Sequence, residues 1–440
     1  MDRESKVQDT RGSGENFEDA LEYVDVSVPE SKRKNLISLI FVLAGYPIAL
    51  SNFVIGGRVG VGLTFSDAVL ALAVGNAFLI AIVILVGLLA FWTGLSTSFL
   101  SRRVFGISGS TVFSILLAIS ALTWVSTNAD IFARMIKTTF KMWPVPIPVT
   151  AVLVVLIWMQ SAIRGYKGLQ FVSYIGVPAA LVMALWGVAA LFERQSLGEL
   201  AAAVPENPIT FAMATSQIIG GWIFGAVITP DVCRYAKRAS HVVIAGLVAF
   251  FIGCFGLQFA GALVALATGT GDFIKAMDSL GLVYVAFVCA IFCLWTTQDN
   301  NIYGASLALQ NIIESTRYKG KVKHLHLASL IAVCAAVLAA LGIYSYLSPA
   351  IALLSVLFPA LPGMLIAEAF FVKRPMNAIR LNPYALMAWV GGGVAGYVCL
   401  KFNFFVPPVV NMLTSGILYV ALMRLNPALG NNKVAEGVQN

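Results

Sequence analysis

Long apolar stretches, separated by short polar ones, make up most of the chain. Runs of about 20 apolar residues are typical of transmembrane helices, because a helix of that length spans the hydrocarbon core of a bilayer. The pattern therefore predicts an all-α polytopic membrane protein with twelve transmembrane helices. The predicted segments are residues 35–57, 66–93, 109–135, 146–163, 170–192, 211–230, 241–268, 281–312, 326–344, 347–372, 383–400 and 406–423.

Two of these segments carry helix-weakening residues near their middle. The first contains Gly45 and Pro47, and a proline in mid-span removes a helical hydrogen bond and clashes with the preceding turn. The sixth contains the pair Gly220-Gly221, and glycine weakens a helix through its backbone freedom. Interrupted segments at matching positions predict a transporter of two inverted five-helix repeats, with its binding site at the breaks. A third interruption is predicted at residues 358–363 in the tenth segment.

These interruptions predict how the chain is divided. Residues 35–192 are expected to form the first repeat, residues 211–372 the second, and residues 383–423 two peripheral helices. Residues 1–34 are polar and acidic, unlike a cleavable signal peptide, and are expected to form a disordered cytoplasmic tail. Residues 424–440 are expected to form a second cytoplasmic tail.

The composition agrees with a membrane protein and predicts its orientation. Apolar residues make up 59% of the chain and charged residues only 11%, whereas a soluble domain has roughly 25% charged residues. Most lysines and arginines fall in the tails and the even-numbered loops, so the positive-inside rule predicts an inner-membrane protein with both termini cytoplasmic. The basic loops 234–238 and 317–324 are expected to serve topology and contact with anionic lipid. This scattering of charge does not indicate nucleic acid binding, and the protein is expected to be a monomer or a loose oligomer.

The residue types that bind metals or act as nucleophiles are not grouped in a way that predicts a metal site or a catalytic site. The six cysteines show neither metal-ligand spacing nor a disulfide framework. His241, His324 and His326 fall at predicted loop edges, which argues against a histidine relay within the bilayer. An intramembrane enzyme would need such groups at depth, so neither an enzyme nor an organic cofactor is expected. A channel is disfavoured because a pore would show repeated filter loops.

The most polar stretch inside an apolar segment is residues 293–301, with the sequence Cys-Leu-Trp-Thr-Thr-Gln-Asp-Asn-Asn. Polar groups at membrane depth are costly, and by default they face a cavity or another helix. The adjacent hydroxyls of Thr296 and Thr297, with the carbonyl of Cys293 one turn earlier, are hard oxygen ligands of the kind that suit a small cation.

A candidate substrate wall lies in the third segment. Trp124 and Asn128 are four residues apart and therefore share one helix face. Because tryptophan in membrane proteins usually lies at the interface, a mid-span tryptophan beside polar residues indicates a cavity. Trp222, next to Gly221 at the predicted break of the sixth helix, is a second candidate wall. Two aromatic faces would stack on a planar ring, and a few polar groups would fix its orientation.

Several motifs resemble the cytosine permeases of the nucleobase:cation symporter-1 family. They are Gly56-Gly57 and Gly75-Asn76, Thr-Pro-Asp-Val-Cys-Arg-Tyr at residues 229–235, and Trp-Thr-Thr-Gln-Asp-Asn at residues 295–300. The resemblance covers the first ten segments in order and spacing. It implies the inverted-repeat fold of the leucine-transporter type and sodium-driven uptake of a small heterocycle.

The resemblance also implies a sodium site between the broken first helix and the eighth helix. The positions that match the family's ligands are the carbonyls of Gly45, Ile48 and Cys293 and the hydroxyls of Thr296 and Thr297. Na⁺ is therefore the expected coupling ion. Proton coupling, with Glu368 or Asp299 as the carrier, remains the alternative. Glu368 is otherwise expected to face the cytoplasmic vestibule or to pair with a loop arginine.

The substrate site matches the family only in part. The aromatic walls match, but the polar groups that would read cytosine are replaced. The family's glutamine, serine and two asparagines correspond here to Ala121, Phe224, Cys293 and Gln298. A site that loses such partners loses orders of magnitude in discrimination, which disfavours cytosine itself. The expected substrate is a small planar N-heterocycle such as a nucleobase, a hydroxymethylpyrimidine or a hydantoin- or allantoin-like ring. The predicted substrate-site residues are Ala121, Trp124, Asn128, Gly221, Trp222, Phe224 and Gln298.

Overall fold

The computed structural model describes residues 28–205, 207–319, 321–374 and 379–425. The predicted tails fall largely outside these residues, the first up to residue 27 and the second from residue 426. Apart from one isolated backbone bridge, the described residues form helices, turns and irregular connections. The prediction of an all-α protein is therefore confirmed.

The helices follow the predicted apolar segments closely. Those of the first half are α1 (Leu36–Ala44), α2 (Leu50–Gly62), α3 (Phe65–Thr93), α4 (Thr97–Phe105), α5 (Ile107–Thr139), α6 (Ile147–Ala162), α7 (Tyr166–Phe192) and α8 (Leu197–Ala201). Those of the second half are α9 (Phe211–Val227), α10 (Pro230–Cys233), α11 (Ala239–Phe250), α12 (Leu257–Thr268), α13 (Phe273–Ser279), α14 (Val283–Ile313), α15 (His324–Ala340), α16 (Leu347–Leu357), α17 (Ala360–Ala367), α18 (Pro383–Phe402) and α19 (Pro407–Leu425).

The long helices are those of a polytopic membrane protein. Within the described residues, 8 helical spans are long and apolar enough to cross a membrane, and α6 and α15 are shorter apolar helices. Each of the twelve predicted segments falls on helical residues. The number of membrane crossings stays a prediction.

The first predicted segment is broken at its proline, as expected. α1 ends at Ala44 and α2 begins at Leu50, and the residue before α2 is extended, with φ −133° and ψ 149°. The side chain of Asn52 holds this break by donating to the carbonyls of Pro47 and Gly253. Gln258 in turn donates to the Asn52 side-chain oxygen over 2.7 Å.

The predicted break at the glycine pair of the sixth segment is wrong. α9 runs without interruption from Phe211 to Val227, and only Ile228 and Thr229 separate it from α10, which begins at Pro230. A glycine costs a helix only about 1 kcal/mol, whereas a proline in the interior costs about 3 kcal/mol and kinks or breaks the helix. Gly221 serves packing instead, because a Cβ there would overlap Cδ1 of Ile55 on α2.

The third predicted interruption is confirmed. α16 ends at Leu357 and α17 begins at Ala360, with Pro359 between them. Two π-helical turns were not predicted, one over Phe251–Gly256 between α11 and α12 and one over Glu368–Val372 after α17. Neither contains a proline.

Small residues bring α2 and α12 into close backbone contact. A Cβ on Gly56 would overlap the carbonyl oxygen of Gln258, and one on Gly60 would lie 2.5 Å from that of Ala262. From the other helix, a Cβ on Gly261 would overlap the carbonyl oxygen of Phe53. Such close approach is characteristic of membrane helix pairs, where dispersion and not the hydrophobic effect holds helices together. The second half of the first helix is thus packed tightly on the helix after the first π-turn.

Two residues expected in or beside polar loops are buried instead. Arg234 has no exposed surface, and its Nη2 donates to the hydroxyls of Tyr235 (3.2 Å) and Tyr303 (3.1 Å). His324 is 4% exposed and its Nδ1 lies 2.7 Å from the hydroxyl of Ser306. The prediction of a lipid-contacting loop cation is wrong for Arg234, because its partner Tyr303 lies 69 positions away in the sequence. His324 is the first residue of α15, so its predicted position at a loop edge is confirmed although its side chain is buried.

The last residues of the predicted N-terminal tail are ordered. Glu30–Lys32 form a short 3-10 turn, and the backbone N–H of Lys34 donates to the carbonyl of Tyr235 over 2.6 Å. Arg33 lies over the ring of Phe91 at 5.3 Å. The segment just before α1 is therefore packed against the loop that follows α10.

Candidate functional site

A narrow pocket lies where α5, α9 and α14 face the break of the first helix. Its volume is about 20 Å³, which is room for about one or two water molecules. The residues that line it are Tyr46, Ser51, Trp124, Asn128, Gly221, Trp222, Phe224, Gly225, Thr297 and Asn301. The pocket thus joins the third, sixth and eighth predicted segments at the first break.

Aromatic side chains form the walls of this pocket. Trp124 and Trp222 are 8% and 6% exposed. The absence of a side chain at Gly225 makes room for the second indole, because a Cβ there would lie 2.9 Å from its Cε3. Phe224 contacts Phe358 edge to face with ring centroids 5.3 Å apart, which links this wall to the break between α16 and α17. A planar ring between such walls would gain stacking and dispersion.

Three buried polar groups at the pocket have no hydrogen-bond partner among the described residues. They are the hydroxyl of Tyr46, the Nδ2 of Asn128 and the indole Nε1 of Trp222. The great majority of buried polar groups in proteins are paired. An unpaired one costs about 1–3 kcal/mol. Three of them around one pocket leave it with polar groups that can hydrogen-bond to a ligand.

The structure brings most of the predicted substrate residues together but not all of them. Five of the seven line the pocket, whereas Ala121 and Gln298 are fully buried and do not. Tyr46 and Asn301 line it and were not predicted. Tyr46 directly follows the glycine at the first break, and Asn301 lies four residues after Thr297 on the same helix face. Both signals were available in the sequence.

The predicted cation ligands of the eighth helix lie within one turn of α14. The hydroxyls of Thr296 and Thr297 each donate to the carbonyl oxygen of Cys293 over 3.0 Å. Both threonines and the cysteine are buried. Thr297 also lines the pocket, so these oxygens are adjacent to the space between the aromatic walls.

Helix α7 connects this turn to the break of the first helix. A Cβ on Gly45 would lie 2.5 Å from the Ser173 hydroxyl and 3.3 Å from Nδ2 of Asn300. One turn further along α7, a Cβ on Gly176 would overlap Cγ2 of Thr296. Asn300 also donates to the Thr296 carbonyl over 2.9 Å. Gly45 and the threonine turn therefore flank the same part of α7.

The backbone at the first break has carbonyl oxygens available. Across the described residues 44–50, the backbone hydrogen bonds use the carbonyls of Ala44, Pro47 and Ala49 but not those of Gly45 and Ile48. A broken helix commonly exposes such carbonyls, and in transporters they coordinate cations.

The two candidate proton carriers have different surroundings. Asp299 is fully buried, and its Oδ1 accepts from the Ser161 hydroxyl over 2.7 Å. Its Oδ2 has no partner in the part of the chain that the structure describes. Glu368 forms an ion pair with Arg374 at 2.8 Å and accepts from the Tyr419 hydroxyl over 2.6 Å. The prediction that Glu368 pairs with a loop arginine is confirmed.

A second set of buried polar residues lies near the end of the sixth segment, and we call it the Arg234 cluster. It consists of Thr97, Asp231, Arg234, Tyr235 and Tyr303. The backbone N–H of Thr97 donates to Oδ1 of Asp231 over 2.7 Å. The guanidinium donates through Nε to the Asp231 carbonyl over 3.3 Å and through Nη2 to the two tyrosine hydroxyls. Every member thus has at least one hydrogen-bond partner within the protein.

Solved structures share this fold. The structure of Mhp1, a nucleobase-cation-symport-1 family transporter in a closed conformation with bromovinylhydantoin bound, superposes with a TM-score of 0.76 at 17% sequence identity, covering 92% of this chain and 96% of that one. A Na⁺-coupled sialic acid symporter superposes with a TM-score of 0.66 at 13% identity, covering 93% of each chain. The predicted leucine-transporter-type fold is confirmed.

The sequence comparison identifies the family. The cytosine permease of Escherichia coli strain K12 is 29% identical over 418 residues, which is 93% of this chain and 95% of that protein. A family model described as "Permease for cytosine/purines, uracil, thiamine, allantoin" matches residues 27–419. The chain therefore belongs to this family of permeases and is a multi-pass membrane transporter, not an enzyme.

Proposed function

We propose that this protein is a sodium-coupled symporter that imports a small planar N-heterocycle across the cytoplasmic (inner) membrane. The observation that carries the proposal is the pocket itself, where two buried indoles and three unpartnered polar groups adjoin the threonine turn of α14. The relatives support the substrate class, since one is a cytosine permease and another was solved with a hydantoin bound. The shared fold of the Na⁺-coupled sialic acid symporter supports sodium as the coupling ion.

The proposed cation ligands can act without a carboxylate. A hydroxyl that donates its proton to a carbonyl keeps both lone pairs, so Thr296 and Thr297 remain acceptors for an ion. Neutral hydroxyl and carbonyl oxygens are sufficient to coordinate a monovalent cation, so no negatively charged ligand is needed. The proposed ligand set is the carbonyls of Gly45, Ile48 and Cys293 and the hydroxyls of Thr296 and Thr297.

We propose alternating access between two inverted repeats as the transport mechanism. The first repeat would comprise residues 35–192 and the second residues 211–372, with both chain termini in the cytoplasm. The pocket is too narrow for a heterocycle, so binding requires its aromatic walls to separate. A sodium ion between α14 and the break before α2 would hold these elements together and so couple ion binding to the shape of the pocket.

Proton coupling is the second candidate, and Asp299 supports it. Its carboxyl group is buried on α14, and its Oδ2 has no hydrogen-bond partner among the described residues, which leaves that oxygen available to a proton. Glu368 is the weaker candidate, because its carboxylate is already bonded to Arg374 and Tyr419.

Uptake into proteoliposomes distinguishes the two candidates. We expect an inward sodium gradient to drive accumulation of a radiolabelled heterocycle, and a proton gradient alone to drive none. Thr297→Ala should raise the sodium concentration for half-maximal uptake more than tenfold, because an oxygen ligand is lost. Thr297→Ser, which keeps the hydroxyl, is the matched control and should remain close to wild type. Uptake that follows pH and ignores sodium in all three proteins would establish the proton mechanism instead.

A further inference from the structure

A second and larger cavity lies at one end of the helix bundle, and we call it the Arg58 cavity. Its volume is about 220 Å³, against about 20 Å³ for the pocket between the two indoles. Residues of α2, α9, α16, α18 and α19 line it, together with residues of the loop between α18 and α19. We propose that this cavity binds the headgroup of an anionic phospholipid and that Arg58 pairs with the lipid's phosphate.

The Arg58 cavity lies where several helices end. Arg58 is four residues before the end of α2, the lining residues of α9 belong to its first two turns, and those of α18 belong to its last turn. The N–H of Ile209 donates to the carbonyl of Gly62 over 2.9 Å and so joins the end of α2 to the start of α9. The ends of membrane helices lie near the lipid headgroups. The cavity is therefore at the depth of a phospholipid phosphate.

The charge at the cavity favours an anion. Among the described residues that line it, Arg58 is the only charged one. Arg58 is partly buried, and no hydrogen bond or ion pair joins its guanidinium to another residue in the described part of the chain. Thr210, the N-cap of α9, also lines the cavity, so the N–H groups and the positive dipole end of that helix lie beside it. A phosphate suits both partners.

The apolar surface of the cavity favours a lipid over a free anion. Ile55, Met213 and Leu400 contribute apolar walls. Phe405 lines the cavity from the loop between α18 and α19 and is 70% exposed, and its neighbour Phe404 is 42% exposed. Exposed apolar surface of this kind in a membrane protein marks contact with lipid. An amphiphile uses both the cation and this surface, whereas a free phosphate uses only the cation.

The transported ring is the competing occupant. Gln217 lines the Arg58 cavity and Gly221 lines the central pocket, one turn apart on the same face of α9. Ile55 also lines the cavity, and it packs against Gly221 and so separates the two spaces. An uncharged ring would leave Arg58 without a counter-charge, whereas a phosphate would supply one. The observations therefore favour the lipid.

The test is binding to the purified full-length protein in a non-ionic detergent, measured by native mass spectrometry and by the shift in melting temperature. The probes are phosphatidylglycerol, phosphatidylcholine with the same acyl chains, and glycerol phosphate. Phosphatidylglycerol should bind about tenfold more tightly, or more, than either of the others. Phosphatidylcholine would bring its own cation towards Arg58, and glycerol phosphate lacks the chains.

Two variants and a matched control locate the site. Arg58→Gln should weaken phosphatidylglycerol binding about tenfold or more, because a charge-assisted hydrogen bond is lost. Met213→Glu places a negative charge at an exposed position of the cavity and should weaken binding to a similar extent without a core substitution. Lys401→Gln is the control, since Lys401 lies in the last turn of α18 at the same end of the bundle but does not line the cavity. It should bind phosphatidylglycerol as the wild type does.

Each contrary result identifies a different error. Equal binding of phosphatidylglycerol and phosphatidylcholine, or equal losses in Arg58→Gln and Lys401→Gln, would overturn the assignment in favour of general attraction to a basic surface. Glycerol phosphate that binds as tightly as the lipid would show a free-anion site. Displacement of the lipid by uracil or hydantoin would show that the cavity belongs to the path of the ring. If Arg58→Gln lacks a cooperative melting transition, unchanged lipid affinity in Met213→Glu overturns the assignment by itself.

Discussion

Two groups of buried polar side chains lie near the helix breaks, and they differ in how their hydrogen bonds are satisfied. In the Arg234 cluster each charged or hydroxyl group has a partner in the protein. At the pocket, Tyr46, Asn128 and Trp222 have none in the described part of the chain. A satisfied buried network stabilises the fold, whereas an unsatisfied one is available to a ligand. Mutations in the first should therefore lower stability, and mutations in the second should lower binding.

The largest effect is expected in the Arg234 cluster. Arg234→Met removes a buried guanidinium and leaves the Asp231 side chain and the Tyr303 hydroxyl buried without it. Breaking a buried charged network in this way costs about 3–5 kcal/mol of unfolding free energy. Denaturant unfolding in detergent measures the loss.

Arg317→Met is the matched control for that variant. Arg317 also donates to the tyrosine that follows it, over 2.8 Å, but it lies on an exposed loop. Surface substitutions of this kind usually stay within about 0.5 kcal/mol. Equal losses in the two variants would show that burial of Arg234 does not matter to stability.

A smaller and different effect is expected at the pocket wall. Trp124→Ala should lower substrate affinity by about 1–3 kcal/mol, the range measured for stacking of a base on an aromatic side chain. Sodium binding without substrate should survive, because Trp124 is not among the proposed cation ligands. Scintillation proximity binding and sodium-induced melting shifts measure the two separately. Loss of both together would mean that the indole supports the fold of the site and not the ring.

The smallest effect is expected where a chain of side-chain amides supports the break of the first helix. Gln258→Met removes the amide that donates to Asn52 and accepts from Asn76, both over 2.7 Å. Asn52 donates to the carbonyl of Pro47 at the first break. Without the hydrogen bond from Gln258, Asn52 should hold this part of the break less firmly, and sodium binding should weaken. We expect the sodium concentration for half-maximal uptake to rise by roughly 3- to 10-fold, about the value of one hydrogen bond, with little change in maximal rate.

Gln160→Met serves as the control for this variant. The Gln160 side chain is exposed and donates only to a carbonyl of its own helix, over 3.1 Å. Uptake with unchanged sodium dependence is expected. If Gln258→Met also leaves sodium dependence unchanged, the amide chain from Asn76 to Asn52 does not position the break.

The sequence alone predicted the apolar helices and the two breaks that contain a proline. Apolar length is a local property, and so is the missing N–H of a proline, which marks the breaks of the first segment and at Pro359 of the tenth. Pro178 lies inside the continuous α7, so a proline permits a break without requiring one. The shared helix face of Trp124 and Asn128 is equally local, and both residues line the pocket. The threonine turn of α14 is local as well, because the hydroxyls of Thr296 and Thr297 both donate to the carbonyl of Cys293, three and four residues earlier in the same helix.

Only the tertiary structure decided which residues meet across helices. The glycine pair of the sixth segment does not break its helix, because the cost of glycine is small and the contact with Ile55 on another helix uses the space. Arg234 has the sequence context of a loop cation, yet its partner Tyr303 lies 69 residues away. Tyr46, in the break between α1 and α2, and Asn301, on α14, lie far apart in the sequence and meet at one pocket only because the helices pack together. Local chemistry fixes where a helix can stop, whereas burial and hydrogen bonding between distant residues depend on how the helices pack.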